Sequence, residues 1–124
     1  MASDELTPFE QLVVEALDEL PPAFARYLEN VEVLVAARPT REQRRALGLK
    51  PWHTLYGLYE GVPLTERTGG ALVLPDVITL FQSPLERDFP SRAGLKREVR
   101  RTVFHEIAHV FGISDDRLRE LDAY

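Results

Sequence analysis

The sequence contains no cysteine, so no disulfide can staple the fold and no thiolate can hold a metal. Any metal here must be bound by imidazole and carboxylate groups. No apolar run reaches eighteen residues, the length a membrane-spanning helix requires. The first residues, Met1-Ala2-Ser3-Asp4-Glu5, lack a basic stretch followed by an apolar one. No secretory signal is visible, and a cytoplasmic location is the default expectation. Lysine is scarce, 2 against 13 arginines, and acidic residues outnumber basic ones to give a net charge of −5. That balance argues against nucleic acid as a partner. Neither nucleic acid nor a membrane is expected as a partner, and the sequence is silent on oligomeric state.

A chain of 124 residues fits one domain, 1–124, and buries about two-thirds of its unfolded surface without help from staples. No internal repeat or low-complexity segment interrupts it. Thr7 to Leu20 reads as an amphipathic helix, with Phe9, Leu12, Val13, Ala16, Leu17 and Leu20 at helical spacing. Thr7 suits the N-cap, with Pro8 in the first turn and Glu10 closing a capping box. Pro21-Pro22 interrupts, and Ala23 to Glu29 adds a short second helix. Strands are predicted at Val31 to Ala36, Thr54 to Glu60 and Val77 to Gln82. Arg38 to His53 reads as an exposed connection, Gly61 to Asp76 as a loop or ragged hairpin, and Ser83-Pro84 as the start of another loop with room for one helical turn. Leu95 to Phe111 is the long helix, ended by Gly112, and a short helix follows from Asp115 to about Asp122. The class is α+β, with a small mixed sheet packed on the long helix.

The chemistry-bearing motif is His105-Glu106-Ile107-Ala108-His109, the pattern HExxH. Residues four apart share a helix face, so both imidazoles can reach one ion, while Glu106 sits beside them as a base. Zinc bound this way lowers the pKa of a bound water and polarises the carbonyl that the water attacks. Glu98 and Thr102 extend the histidine stripe, whereas Val99, Val103, Ile107 and Val110 form the stripe expected to be buried. A catalytic zinc needs a third protein ligand. Gly112 permits a left-handed turn that returns Asp115 to the metal, so Asp115 is the expected third ligand of one Zn²⁺, with Asp116 as the nearest substitute and Glu120 a more distant one. Against this, Ser114 or Asp115 could serve as the N-cap of the last helix.

The extended string HExxHxxGxxD resembles the zinc motif of metzincins in its aspartate variant. Gly57 to Arg67, Leu74 to Ile78 and His105 to Leu118 more closely resemble a small bacterial family of zincin-like metallopeptidases, described as having a minimal metalloprotease-like domain. The likeness runs from the Phe9 helix to the end of the chain. It implies a pared-down zincin fold, with the active-site helix under a small sheet, and a peptidase acting on a peptide or protein substrate. Metzincins carry a methionine turn beneath the metal. Here the sole methionine is Met1, so a fold without the usual lower subdomain is expected.

Among other residues, Val77 to Gln82 is a candidate edge strand for pairing with an extended substrate. Tyr56, Tyr59, Arg67 and Tyr124 are candidates to stabilise a developing oxyanion. Glu98 could orient an imidazole, His53 beside Trp52 reads as structural or exposed, and Arg97, Arg100 and Arg101 as a solvated face. Two further functions stay open. A zinc-dependent endoribonuclease family has a similar ligand layout, but places Gly where Glu106 stands and His where Asp115 stands. A non-catalytic zinc or partner-binding module is the other.

Overall fold

The computed structural model describes residues 5–61 and 75–120. Helix α1, Pro8–Asp18, opens with the expected reciprocal cap: the Thr7 hydroxyl accepts from the Glu10 N–H at 3.1 Å, and the Glu10 carboxylate accepts from the Thr7 N–H at 2.8 Å. After Pro21 the chain makes a single 3₁₀ turn, Pro22–Phe24, and a short α2, Ala25–Leu28. Strand β1 is Val31–Ala36. The stretch expected to be a plain connection instead contains a helix, α3, Arg41–Ala46. Its cap is Thr40 with Gln43, a second capping box that was present in the sequence as T-x-x-Q. Strand β2 is shorter than expected, Gly57–Glu60, and β3 is Asp76–Phe81. The following segment is a full helix, α4, Gln82–Asp88, rather than a loop with one turn. Helix α5, Arg92–Phe111, carries the HExxH motif, and α6, Asp115–Glu120, follows it.

The sheet order is β1–β3–β2, with β1 parallel and β2 antiparallel to β3. The mixed sheet and the α+β class are as expected. The expected substrate-pairing role of β3 is not: it is the central strand, paired along both edges, so Val77 to Gln82 has no free edge. Its burial fits that place, since Ile78, Leu80 and Phe81 are fully buried and Thr79 between them is nearly so, as expected of a strand covered on both faces. In β1, by contrast, the valines at 31, 33 and 35 turn inward and Glu32 and Leu34 outward.

The core is the space between α1, the sheet and α5. Phe9, Leu12, Val13 and Ala16 of α1 meet Leu95, Val99, Val103, Phe104 and Ile107 of α5, with Ile78 and Leu80 from β3. Phe24 wedges against Phe104 edge-on, with ring centroids 4.7 Å apart. Val110 does not join the buried stripe; it is 48% exposed. Its angle around the helix is right, but the core ends at Ile107 and Ala108, and the last turn of α5 projects beyond it. The arginine face of α5 is also not simply solvated. Arg92 pairs with Glu15, and Lys96 and Arg100 both pair with Glu19, at 2.6–2.8 Å, which locks α5 along the acidic side of α1. Among the described residues, no helix is long and apolar enough to cross a membrane.

Candidate metal centre

The candidate centre depends first on how α5 starts and stops. The Ser91 hydroxyl accepts from the Gly94 N–H at 3.1 Å and caps its beginning. Gly112 ends it in the left-handed region, φ 68° and ψ 30°, and the Ile113 N–H returns to the Ala108 carbonyl at 3.0 Å. This is a Schellman closure, with Ile113 packed against the core beside it. Between those ends, burial of Val99, Val103 and Ile107 fixes the rotation of the helix. His105 and Glu106 are thereby turned into a cleft of about 360 Å³. Glu98, Arg101 and Thr102 line the same cleft from α5, and Thr54, Leu55, Tyr56 and Gly57 line it from the strand side.

His105 is half-buried, with its Nε2 shielded from solvent, and His109 lies one turn further along, exposed. Glu106 lies partly buried between the helix and β2, where its Oε1 accepts the Tyr59 main-chain N–H at 2.9 Å. Burial pushes the Glu106 carboxyl above the usual carboxylate range, opposed by that N–H and by the nearby His109. The result is a desolvated carboxylate fixed in orientation next to two imidazoles.

The approach of β2 that makes this bond possible rests on Gly57. A Cβ at that position would lie 2.6 Å from Thr102 Cγ2 and 3.3 Å from the Thr79 carbonyl oxygen. Only a residue without a side chain lets the strand come so near α5. Ladder alternation does the rest. The Phe81 N–H donates to the Tyr56 carbonyl at 2.9 Å, so Tyr56, Leu58 and Glu60 present their main-chain groups to β3. Gly57 and Tyr59 present theirs to the opposite edge, where Glu106 waits. Among the described residues, the edge of β2 that faces the motif pairs with no further strand.

Other expected site residues fall differently. The Tyr56 hydroxyl donates to Asp88, and burial together with that bond pushes it up to about 12. The Tyr59 hydroxyl donates to Asp76. A hydroxyl has one proton to give, so both tyrosines, Tyr56 in the cleft wall included, give theirs to carboxylates that do not line the cleft. Arg67 and Tyr124 lie outside the described residues. His53 is exposed, and its Nδ1 accepts the Lys50 N–H at 3.0 Å. Glu98 lines the cleft with His105.

For the third ligand, the Ser114 hydroxyl accepts the Arg117 N–H at 3.1 Å. Ser114 is thus the cap of α6, and Asp115 occupies the first helical position after the Gly112 turn. The Asp115 side chain lies outside what is described. Asp116, with a side chain 90% exposed, pairs with Arg119, and Glu120 pairs with Arg117, so both substitutes are engaged in surface pairs. Among the described residues, no three His, Asp or Glu side chains form a complete metal-binding group. The two imidazoles on adjacent turns, with carboxylate as the only other donor type, suit a divalent ion of the zinc class. Sequence reasoning missed the roles of Gly57 and of the Tyr59 N–H. The first shows only as a glycine in a strand, and the second leaves no mark on residue type.

Residues 28–124 match the model of a family described as zincin-like metallopeptidase. No curated protein matches the chain.

Proposed function

The chain belongs to the zincin-like metallopeptidase family, and from that premise we propose that it hydrolyses peptide bonds as a single domain, 1–124, with one zinc held by His105, His109 and Asp115. When bound, zinc supplies Lewis acidity, polarising the scissile carbonyl and making a water acidic enough to deprotonate near neutral pH. Glu106 is the general base: it takes a proton from the attacking water and hands it to the departing amine. The observation that carries this reading is the bond between the Glu106 carboxylate and the Tyr59 N–H. It fixes the carboxylate beside the imidazoles, on the side from which β2 faces the cleft. An extended substrate would pair along the outer edge of β2 at Gly57, next to the Tyr59 N–H that Glu106 already holds, the β-augmentation mode. The half-buried surroundings of Glu106 keep competing solvent few and hold the carboxylate ready to accept a proton.

The test is Glu106→Gln. This isosteric change should lower cleavage of a mixed peptide library by about 10²–10⁴-fold while bound zinc is unchanged. Undiminished cleavage by the variant would refute the assigned base. Zinc bound by the wild-type chain with no cleavage of any peptide would instead favour a zinc module without peptidase activity.

A further inference from the structure

Beyond Thr54 and Leu55 the surface opens into a second cavity, of about 710 Å³. Thr54 and Leu55 line both this cavity and the His105–Glu106 cleft, so the two follow one another along the segment that leads into β2. Three arginines, Arg38, Arg44 and Arg87, stand around it together with Trp52. Trp52 is 74% exposed, although tryptophan is a residue that folded domains mostly cover.

The charge there is fixed and poorly balanced. Arg44 is half-buried, and its guanidinium donates to the Lys50 and His53 carbonyls at 2.7 and 3.1 Å. Those bonds orient the cation but bring no counter-charge. Arg87 pairs with Asp88 and also reaches Thr54 Oγ1 at 3.2 Å, at the boundary with the cleft. Arg38 is exposed. No carboxylate is among the described residues that line the cavity, in a chain whose net charge is −5. The larger cavity beside α1 and α5 differs in this respect. It has Glu19 and Glu98 in its walls, and Glu19 is already paired with Lys96 and Arg100.

We propose that the Arg38–Arg44–Trp52–Arg87 cavity binds acidic side chains of a peptide segment lying across the adjacent cleft. It thereby sets a preference for Asp or Glu on one side of the scissile bond. Guanidinium groups match carboxylates in charge and planar geometry, and an exposed indole covers the apolar parts of a peptide at little entropic cost. The inference rests on the peptidase reading for what the bound segment belongs to. A nucleotide would satisfy the same arginines, but the cavity shares Thr54 and Leu55 with the cleft in which the peptidase reading lays the substrate, and the acidic chain offers no track for nucleic acid.

Trp52 is the only tryptophan, so its fluorescence reports the site directly in the full-length chain. The probes are an octapeptide with three glutamates and its glutamine counterpart, titrated into wild-type and Glu106→Gln protein. The glutamate peptide should shift Trp52 emission saturably and bind about tenfold or more tightly than the glutamine one. Arg38→Glu should lower that affinity about tenfold, Arg38→Lys should keep part of it, and Arg97→Glu, the same charge change at the other cavity, should leave it intact. Equal binding of both peptides, no emission change, or an equal loss in Arg97→Glu would overturn the proposal. So would saturable binding of adenosine monophosphate with neither peptide bound. A glutamate peptide bound in the expected pattern but never cut would leave the site standing and remove the peptidase reading. Peptides cut with no acidic preference and no Trp52 response would do the reverse.

Discussion

Glu106 shows how a single side chain is placed by groups far from it in sequence. Its carboxylate meets the Tyr59 N–H only because Gly57 lets β2 lie against Thr102. A methyl group at position 57 must displace either Thr102 or the strand. Gly57→Ala should therefore cost about 1–3 kcal/mol, the usual range for overpacking, measured by denaturant unfolding. Gly57→Ala with Thr102→Ser, which removes the clashing Cγ2, should recover a large part of the loss. Equal stability of the single variant and wild type would mean the approach is not tight. At this scale the sequence picks out His105, Glu106 and His109 because HExxH combines residue type with helical period, and the helical part of that reading is what α5 shows. The N–H that orients Glu106 was not legible, since every residue but proline has one.

Among the elements, those with strong patterns are legible to within two or three residues at their ends: α1 stops at Asp18 rather than Leu20, and α5 starts at Arg92 rather than Leu95. α1 has its capping box and apolar stripe, and α5 has its buried face and terminal glycine. α3 is not legible because a helix whose one apolar residue is Ala46 has no hydrophobic period to detect, and its one signal is the Thr40–Gln43 cap. Strand order was likewise not legible. The run Val77 to Gln82 announces a strand and is open to an edge reading, but pairing on both sides shows that it is central and that β2 is the edge beside the motif. The turn after α5 carries a prediction of its own. Gly112 sits at φ 68°, and nothing crowds the position where a Cβ would stand. Gly112→Ala should thus cost only the left-handed strain, about 1–2 kcal/mol. If the return of α6 supplies the third ligand, zinc affinity should fall with it. Thermal unfolding and zinc titration of the same variant check both parts; a variant as stable as wild type would contradict the first.

In the whole molecule, the cleft wall opposite α5 is tied down by Asp88, which accepts from both Tyr56 and Arg87. These partners hold the Asp88 carboxyl at about 2, below its ordinary value of 3.8. A depressed carboxylate stabilises the fold fully above its unfolded value and loses that contribution as pH falls through the folded one. The thermal midpoint should accordingly drop between about pH 4 and pH 2. Asp88→Asn should be less stable at neutral pH and should show a shallower fall in that window. An identical acid limb in the variant would show that Asp88 is not coupled to folding.

The central claim is that the α5 face bearing His105 and His109 is a zinc site served by Glu106. Zinc titration of the metal-free chain by equilibrium dialysis tests it most directly. Wild type and Glu106→Gln should each bind one equivalent with similar affinity. His109→Ala removes an exposed side chain outside the core and should weaken binding at least about a hundredfold. Wild-type affinity in His109→Ala, or no zinc bound by the wild-type chain, would contradict it.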